Sequence, residues 1–145
     1  MSMTADIARQ LVVFALGDEE YALPITRVQE IIRYSEPRAV ASESAWIKGV
    51  ISLRGKIIPV CDLASRLGVT AANTEDAKIV IVETATGTAG VIVDQVEEVL
   101  TVEQEQIDEV PGAGKDFIEA IAKIDDRLVI LLDADGIFTD LELAA

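Results

Sequence analysis

Three cations stand close together in KGVISLRGKIIPVCDL (residues 48–63): Lys48, Arg54 and Lys56, with no acid among residues 44–61 of a chain whose formal net charge is −14. Two apolar runs flank Arg54-Gly55, which reads as a tight hairpin turn where glycine supplies the positive φ and the arginine is pushed outward. An exposed guanidinium is a planar donor fork suited to a carboxylate or carbonyl on a partner.

The other residues capable of chemistry do not form a catalytic set. The chain has no histidine, which excludes triads, histidine bases and the commonest zinc sites. Its single cysteine, Cys61, permits no internal disulfide and no thiolate cluster, and the apolar run before it reads as the setting of a small buried hydrophobe. Gly112-Ala113-Gly114-Lys115-Asp116 departs from a phosphate loop at both ends: Glu109 stands at the first glycine position and Asp116 at the final Ser/Thr. Asp133-Ala134-Asp135-Gly136 fails as a calcium loop because Leu131 falls at the first ligand position, so it reads as a helix cap. The acids at 94, 97, 98, 103, 105, 108 and 109 read as a solvated acidic face. So acidic a chain, without a basic stripe, repels phosphate backbones, so no nucleic-acid partner is expected. A binding or scaffolding role is expected, with no enzyme activity, cofactor or metal.

The elements that would carry the hairpin are mostly strands. With 145 residues, 50% of them hydrophobic, the chain is long enough for one domain with a real core. No apolar run reaches about 18 residues and the start lacks a basic leader region, so a cytoplasmic protein without membrane insertion is expected. Short β-branched runs broken by turn residues predict strands over 10–16, 20–24, 47–53, 56–62, 78–84, 89–94, 96–102, 117–124 and 127–132. Short helices are predicted at 25–32, at 62–67 between Asp62 and Gly68, and in an Asp-capped turn near 133–141.

The chain also resembles itself. Offset by 68 positions, residues 12–32 lie over 80–100; offset by 71, residues 49–62 lie over 120–133, with Arg54-Gly55 over Asp125-Asp126 and both copies ending in aspartate. This predicts one domain over 1–145 built of two pseudo-repeated β-barrel units, about 10–69 and 78–140, joined by the polar loop 70–76.

WIKGVISLRGKIIPVCDLASRLGV (46–69), with its KGV, its LRG turn and its P-V-x-D-L, resembles the signature of the CheW family, adaptors of bacterial chemotaxis arrays. LVVFALGDEEYALPITRVQEIIRY (11–34), GVIVDQVEEVL (90–100) and DRLVILLD (126–133) match as well, so the resemblance spans nearly the whole chain. Ser52 stands where the family usually has asparagine, and Ser44 where proline is common. The resemblance implies an all-β fold of two five-stranded SH3-like barrels packed together, with a few short helices. It implies a non-catalytic adaptor between the cytoplasmic tip of methyl-accepting chemoreceptors and the regulatory domain of the histidine kinase CheA. Carried over by position, Val28, Glu30, Ile31, Gly49, Arg54 and Val99 would lie in or near the receptor groove, and Arg38, Val40 and Glu43 would face the kinase.

A CheW-like interaction module of another two-component, motility or second-messenger pathway would carry the same motifs. A CheV-like protein is not expected, because no receiver domain follows in the sequence.

Overall fold

The valine- and isoleucine-rich runs are strands. The computed structural model describes residues 9–40, 47–72, 75–85, 87–109 and 117–138. In chain order it contains β1 (Arg9–Leu16), β2 (Glu19–Pro24), a 3-10 turn (Ile25–Arg27), β3 (Val28–Arg33), β4 (Ile47–Leu53), β5 (Lys56–Cys61) and α1 (Leu63–Leu67). There follow β6 (Lys78–Thr84), β7 (Gly87–Val93), β8 (Gln95–Val102), a 3-10 turn (Gln104–Gln106), β9 (Ile107–Glu109), β10 (Ile118–Ile124), β11 (Arg127–Leu132) and α2 (Ala134–Ile137).

The strands form two sheets, ordered β3-β6-β7-β5-β4 and β8-β1-β2-β11-β10-β9, in a mainly β architecture of two SH3-like barrels. The second sheet has six strands where five are expected. The extra one, three-residue β9, pairs with β10 after the preceding 3-10 turn, whose Glu103–Gln106 capping box turns the chain. Neither sheet comes from one contiguous half of the sequence. The hairpin β1–β2 joins β8 to β11, while the hairpin β6–β7 joins β3 to β5. The boundaries of the barrels therefore differ from those of the repeat units 10–69 and 78–140.

This exchange explains the continuous apolar runs. In β1, Leu11 and Val13 face the interior of the six-stranded sheet, whereas Phe14 and Leu16 enter a central cluster shared with the other sheet. In β6, Ile79 and Ile81 face the interior of the five-stranded sheet, and Val80 and Val82 enter that same central cluster. Strands buried on both faces read as unbroken hydrophobic stretches.

The helix expected at 25–32 is not formed. One 3-10 turn follows Pro24, and Val28–Arg33 then pairs antiparallel with β6. Ile25, Val28, Ile31 and Ile32 fit a helical period, but the β-branched side chains and an available strand partner override it. Asp62 does cap α1: its carboxylate accepts from the Ser65 backbone N–H, and Gly68 closes the helix. Asp133 caps α2 by accepting from Asp135 N–H; residues 139–141 of that predicted turn lie outside the described residues, as do 112–116.

The bulges and turns recur at fixed offsets. Gln29 in β3 and Glu97 in β8 are each the extra residue of a β-bulge, as are Lys48 in β4 and Glu119 in β10. Arg54 and Asp125 are the two non-glycine residues with positive φ among those described, at 51° and 55°.

Candidate functional site: the LRG hairpin and the rim of the five-stranded sheet

Leu53 pairs with Lys56, so Arg54 and Gly55 alone make the turn between β4 and β5. Both are left-handed, Gly55 at φ 81° and Arg54 at 51°. Two successive positive φ values match the twist of a two-residue hairpin, but a residue with a Cβ adopts the region at a cost. Asparagine, aspartate and glycine are the usual occupants of the place Arg54 takes. The arginine ion-pairs with Glu30 of β3 through Nη1 and Oε2, which raises the guanidinium pKa further. Its side chain is nonetheless 72% exposed, against 26% for Glu30, so most of the donor fork remains available to a partner.

The surroundings form a shallow depression of about 270 Å³ lined by Gln29, Glu30, Leu53, Arg54, Lys56 and Glu83 among others. Gln29 Nε2 donates to the Glu83 carboxylate, and Thr88 Oγ1 donates to the same carboxylate at 3.3 Å. Cations on the hairpin thus face acids on β3 and β6. This arrangement suits charge-assisted contacts along an extended surface; it does not enclose a small molecule. Among the described residues no group of three or more histidine, cysteine, aspartate or glutamate side chains is placed to hold a metal. Cys61 is fully buried, and burial pushes its thiol pKa far above the usual range, as fits a small core side chain.

A CheW-like domain model matches residues 10–142, which is nearly the whole chain. The chain belongs to the CheW-like family. It is 35% identical over 142 residues to the chemotaxis protein CheW of Bacillus subtilis, covering 93% of this chain and 91% of that one. It is 34% identical over 142 residues to the probable chemotaxis protein CheW of Rhizobium etli, covering 94% and 92%. Among solved structures, the scaffolding protein TtCheW of Thermoanaerobacter tengcongensis superimposes with a TM-score of 0.85 at 36% identity, covering 91% of this chain and 93% of that one.

The remaining residues that the CheW-like signature singles out occupy different settings. Val28 is half-buried against the central core, against which Val96 of β8 also packs. Ile31 is 38% exposed, on the opposite face from Ile32, which packs inside the five-stranded sheet. Gly49 is buried under residue 38: Arg38 N–H donates to the Val50 carbonyl at 2.8 Å and Val50 N–H to the Arg38 carbonyl at 2.9 Å. A Cβ at Gly49 would collide with that Arg38 carbonyl oxygen. Val99 is about half exposed on β8, the edge strand of the six-stranded sheet. The structure thus joins Glu30 to Arg54 and Gly49 to Arg38, and places Val99 on the other sheet. The side chains of Arg38 and Val40 are exposed, and Glu43 lies outside the described residues.

Several polar side chains that hold these surfaces are not evident from the motif. Arg27, just before Val28, donates to Asp135 of α2 through Nη1 at 3.1 Å and Nη2 at 2.6 Å, and Nη1 donates to the Glu83 carbonyl at 2.9 Å. Asp135 also accepts from Ala85 N–H at 2.8 Å, so the turn after β6, the 3-10 turn before β3 and α2 are tied at one carboxylate. Asp94 is buried and accepts from Gly17 N–H and Ala72 N–H, both at 2.8 Å. The acids at 94 and 135 stood out in the sequence only as members of acidic or capping runs; their partners are far away along the chain.

Proposed function

We propose that this chain is a non-catalytic adaptor that couples the cytoplasmic tip of methyl-accepting chemoreceptors to the regulatory domain of a CheA-type histidine kinase in bacterial chemotaxis. Membership of the CheW-like family supports the role. The observation that carries the site is Arg54: a strained, exposed arginine steadied by Glu30 at the tip of the LRG hairpin. Strain of this kind persists where a surface needs a particular side chain in a particular place.

In this reading the receptor's helical tip lies against β3 and the hairpin. Ile31 gives it apolar contact and Arg54 a charge-assisted hydrogen bond, with Glu30 holding the guanidinium in position. Val28 supports the strand from within, and Gly49 acts through the backbone by admitting the Arg38 segment to β4. Val99 extends the contact on β8. Arg38, Val40 and Glu43 face the kinase. The adaptor works in the cytoplasm and reaches the membrane arrays through its partners; among the described residues no helix is long and apolar enough to cross a membrane. The unit is one domain of two pseudo-repeated parts, about 10–69 and 78–140, a division supported by the bulges and left-handed turn residues that recur at matching positions.

The test is a pull-down from the source cell with the purified chain as bait. Retention of both a chemoreceptor and a CheA-type kinase is expected. Retention of neither, or of an unrelated signalling enzyme alone, would contradict the assignment.

A further inference from the structure

Gly17 and Ala85 take matching places in the two repeat units, in the turns that follow β1 and β6. Each gives its backbone N–H, at 2.8 Å, to an aspartate far away along the chain: Gly17 to Asp94 and Ala85 to Asp135. The two carboxylates come from different places. Asp94 stands immediately before β8, so that strand brings its own anchor. The matching position before β3 is Thr26, and there the next residue, Arg27, reaches across to Asp135 of α2.

We propose that Asp135 is a positioning residue for the receptor-facing strand: through Arg27 it fixes where β3 enters the five-stranded sheet, and with it the placement of Glu30 and Ile31. The proposal rests on the adaptor reading of β3. Strand β2 ends at Pro24 in the six-stranded sheet and β3 begins at Val28 in the other, so the chain crosses between sheets in a single 3-10 turn that Arg27 closes. The guanidinium of Arg27 takes both Asp135 oxygens, Nη1 to Oδ1 at 3.1 Å and Nη2 to Oδ2 at 2.6 Å. Nη1 also donates at 2.9 Å to the carbonyl of Glu83 in β6, the strand with which β3 pairs. A bidentate fork fixes direction as well as distance. Because the same carboxylate holds Ala85 N–H, the end of β6 and the start of β3 are placed relative to one another.

The register of β3 is decided just beyond this point. Gln29 is the bulge, after which Glu30 pairs with Ile81 and Ile31 with Val80. A slip there would exchange the faces of Glu30 and Ile31 and take Glu30 away from Arg54. The anchor is itself firmly seated: Asp133, the cap of α2, donates its N–H to the Phe117 carbonyl at 2.8 Å, and Ile137 is buried in the central cluster. The side chains of Arg27 and Asp135 are 36% and 39% exposed, a setting in which an ion pair adds little to stability. The effect of the pair is on where β3 lies.

Amide hydrogen exchange on the full chain tests this in wild type, Asp135→Ala and Asp135→Asn, beside a melt and a titration with a soluble chemoreceptor-tip fragment. In Asp135→Ala the β3 amides are expected to exchange roughly tenfold faster or more, while the Gly17 amide, held by Asp94, keeps its wild-type rate. The dissociation constant for the tip should rise roughly three- to thirtyfold with the melting temperature nearly unchanged. Asp135→Asn should fall between, because its amide keeps an acceptor oxygen and loses the paired fork. Unchanged β3 exchange, an acceleration shared equally by β1 and β11, or full affinity in a chain whose wild type binds the tip overturns the proposal. A wild-type chain that does not bind the tip overturns the adaptor reading alone, and the β3 exchange still decides whether Asp135 places the strand.

Discussion

Glu30 and Arg54 stand at opposite ends of one sheet's strand order and are nevertheless ion-paired: Glu30 lies on the edge strand β3, and Arg54 tips the β4–β5 hairpin beyond the intervening β6 and β7. The five-stranded sheet therefore curls until its two ends meet, and the pair marks the seam. An exposed ion pair adds little to stability. Its structural effect is to orient a guanidinium that the backbone already presses outward.

Arg54→Gly tests whether the arginine is there for the fold. Glycine relieves the left-handed strain at φ 51° while removing the ion pair with Glu30. The melting temperature is expected to hold or rise. A clear fall in a thermal melt would show that Arg54 serves stability.

Gly49→Ala is expected to act through folding. The new Cβ meets the Arg38 carbonyl, so the two hydrogen bonds between Arg38 and Val50 must break or β4 must shift. A loss of more than about 2 kcal/mol in denaturant unfolding is expected. Normal stability with lost partner binding would return Gly49 to the contact surface itself.

Val28 and Ile31 separate support from contact. Val28→Glu places a charge against the central core and should cost at least about 2 kcal/mol. Ile31→Glu changes an exposed side chain and should leave stability within about ±0.5 kcal/mol while weakening receptor binding. Paired melts and binding titrations of both variants read the difference; equal unfolding of both would place Ile31 in the core too.

Strands were legible in the sequence where β-branched runs were continuous, because β1 and β6 are buried on both faces and carry no helical period. β3 was not. Its Val28, Ile31 and Ile32 fit a helical stripe, and only pairing with β6, some 50 residues away, decides it. β9 is too short to leave a pattern. The exchange of hairpins between sheets is a matter of non-local pairing, to which local periodicity is blind. At the site, Arg54-Gly55 was legible as a turn because few residue pairs suit one. The left-handed arginine and its Glu30 partner were not, since nothing local links residues 24 apart.

Asp135 predicts a specific acid response. Its hydrogen bonds with Arg27 hold the carboxyl below its ordinary value of 3.8, so the stabilisation is fully present above that value and is lost as pH falls through the lower folded-state value. The gap in melting temperature between wild type and Arg27→Ala should be steady at neutral pH and shrink once pH drops below 3.8. A gap that widens toward acid would contradict the pairing.

The adaptor reading is tested most directly by titrating a soluble chemoreceptor-tip fragment against wild type, Arg54→Ala and Arg54→Lys, with a melt of each. Loss of the charge-assisted hydrogen bond should raise the dissociation constant of Arg54→Ala by roughly ten- to a hundredfold at unchanged stability. Arg54→Lys should recover only part of this, because an ammonium keeps the charge and loses the planar fork. Equal affinities across all three proteins would contradict the account.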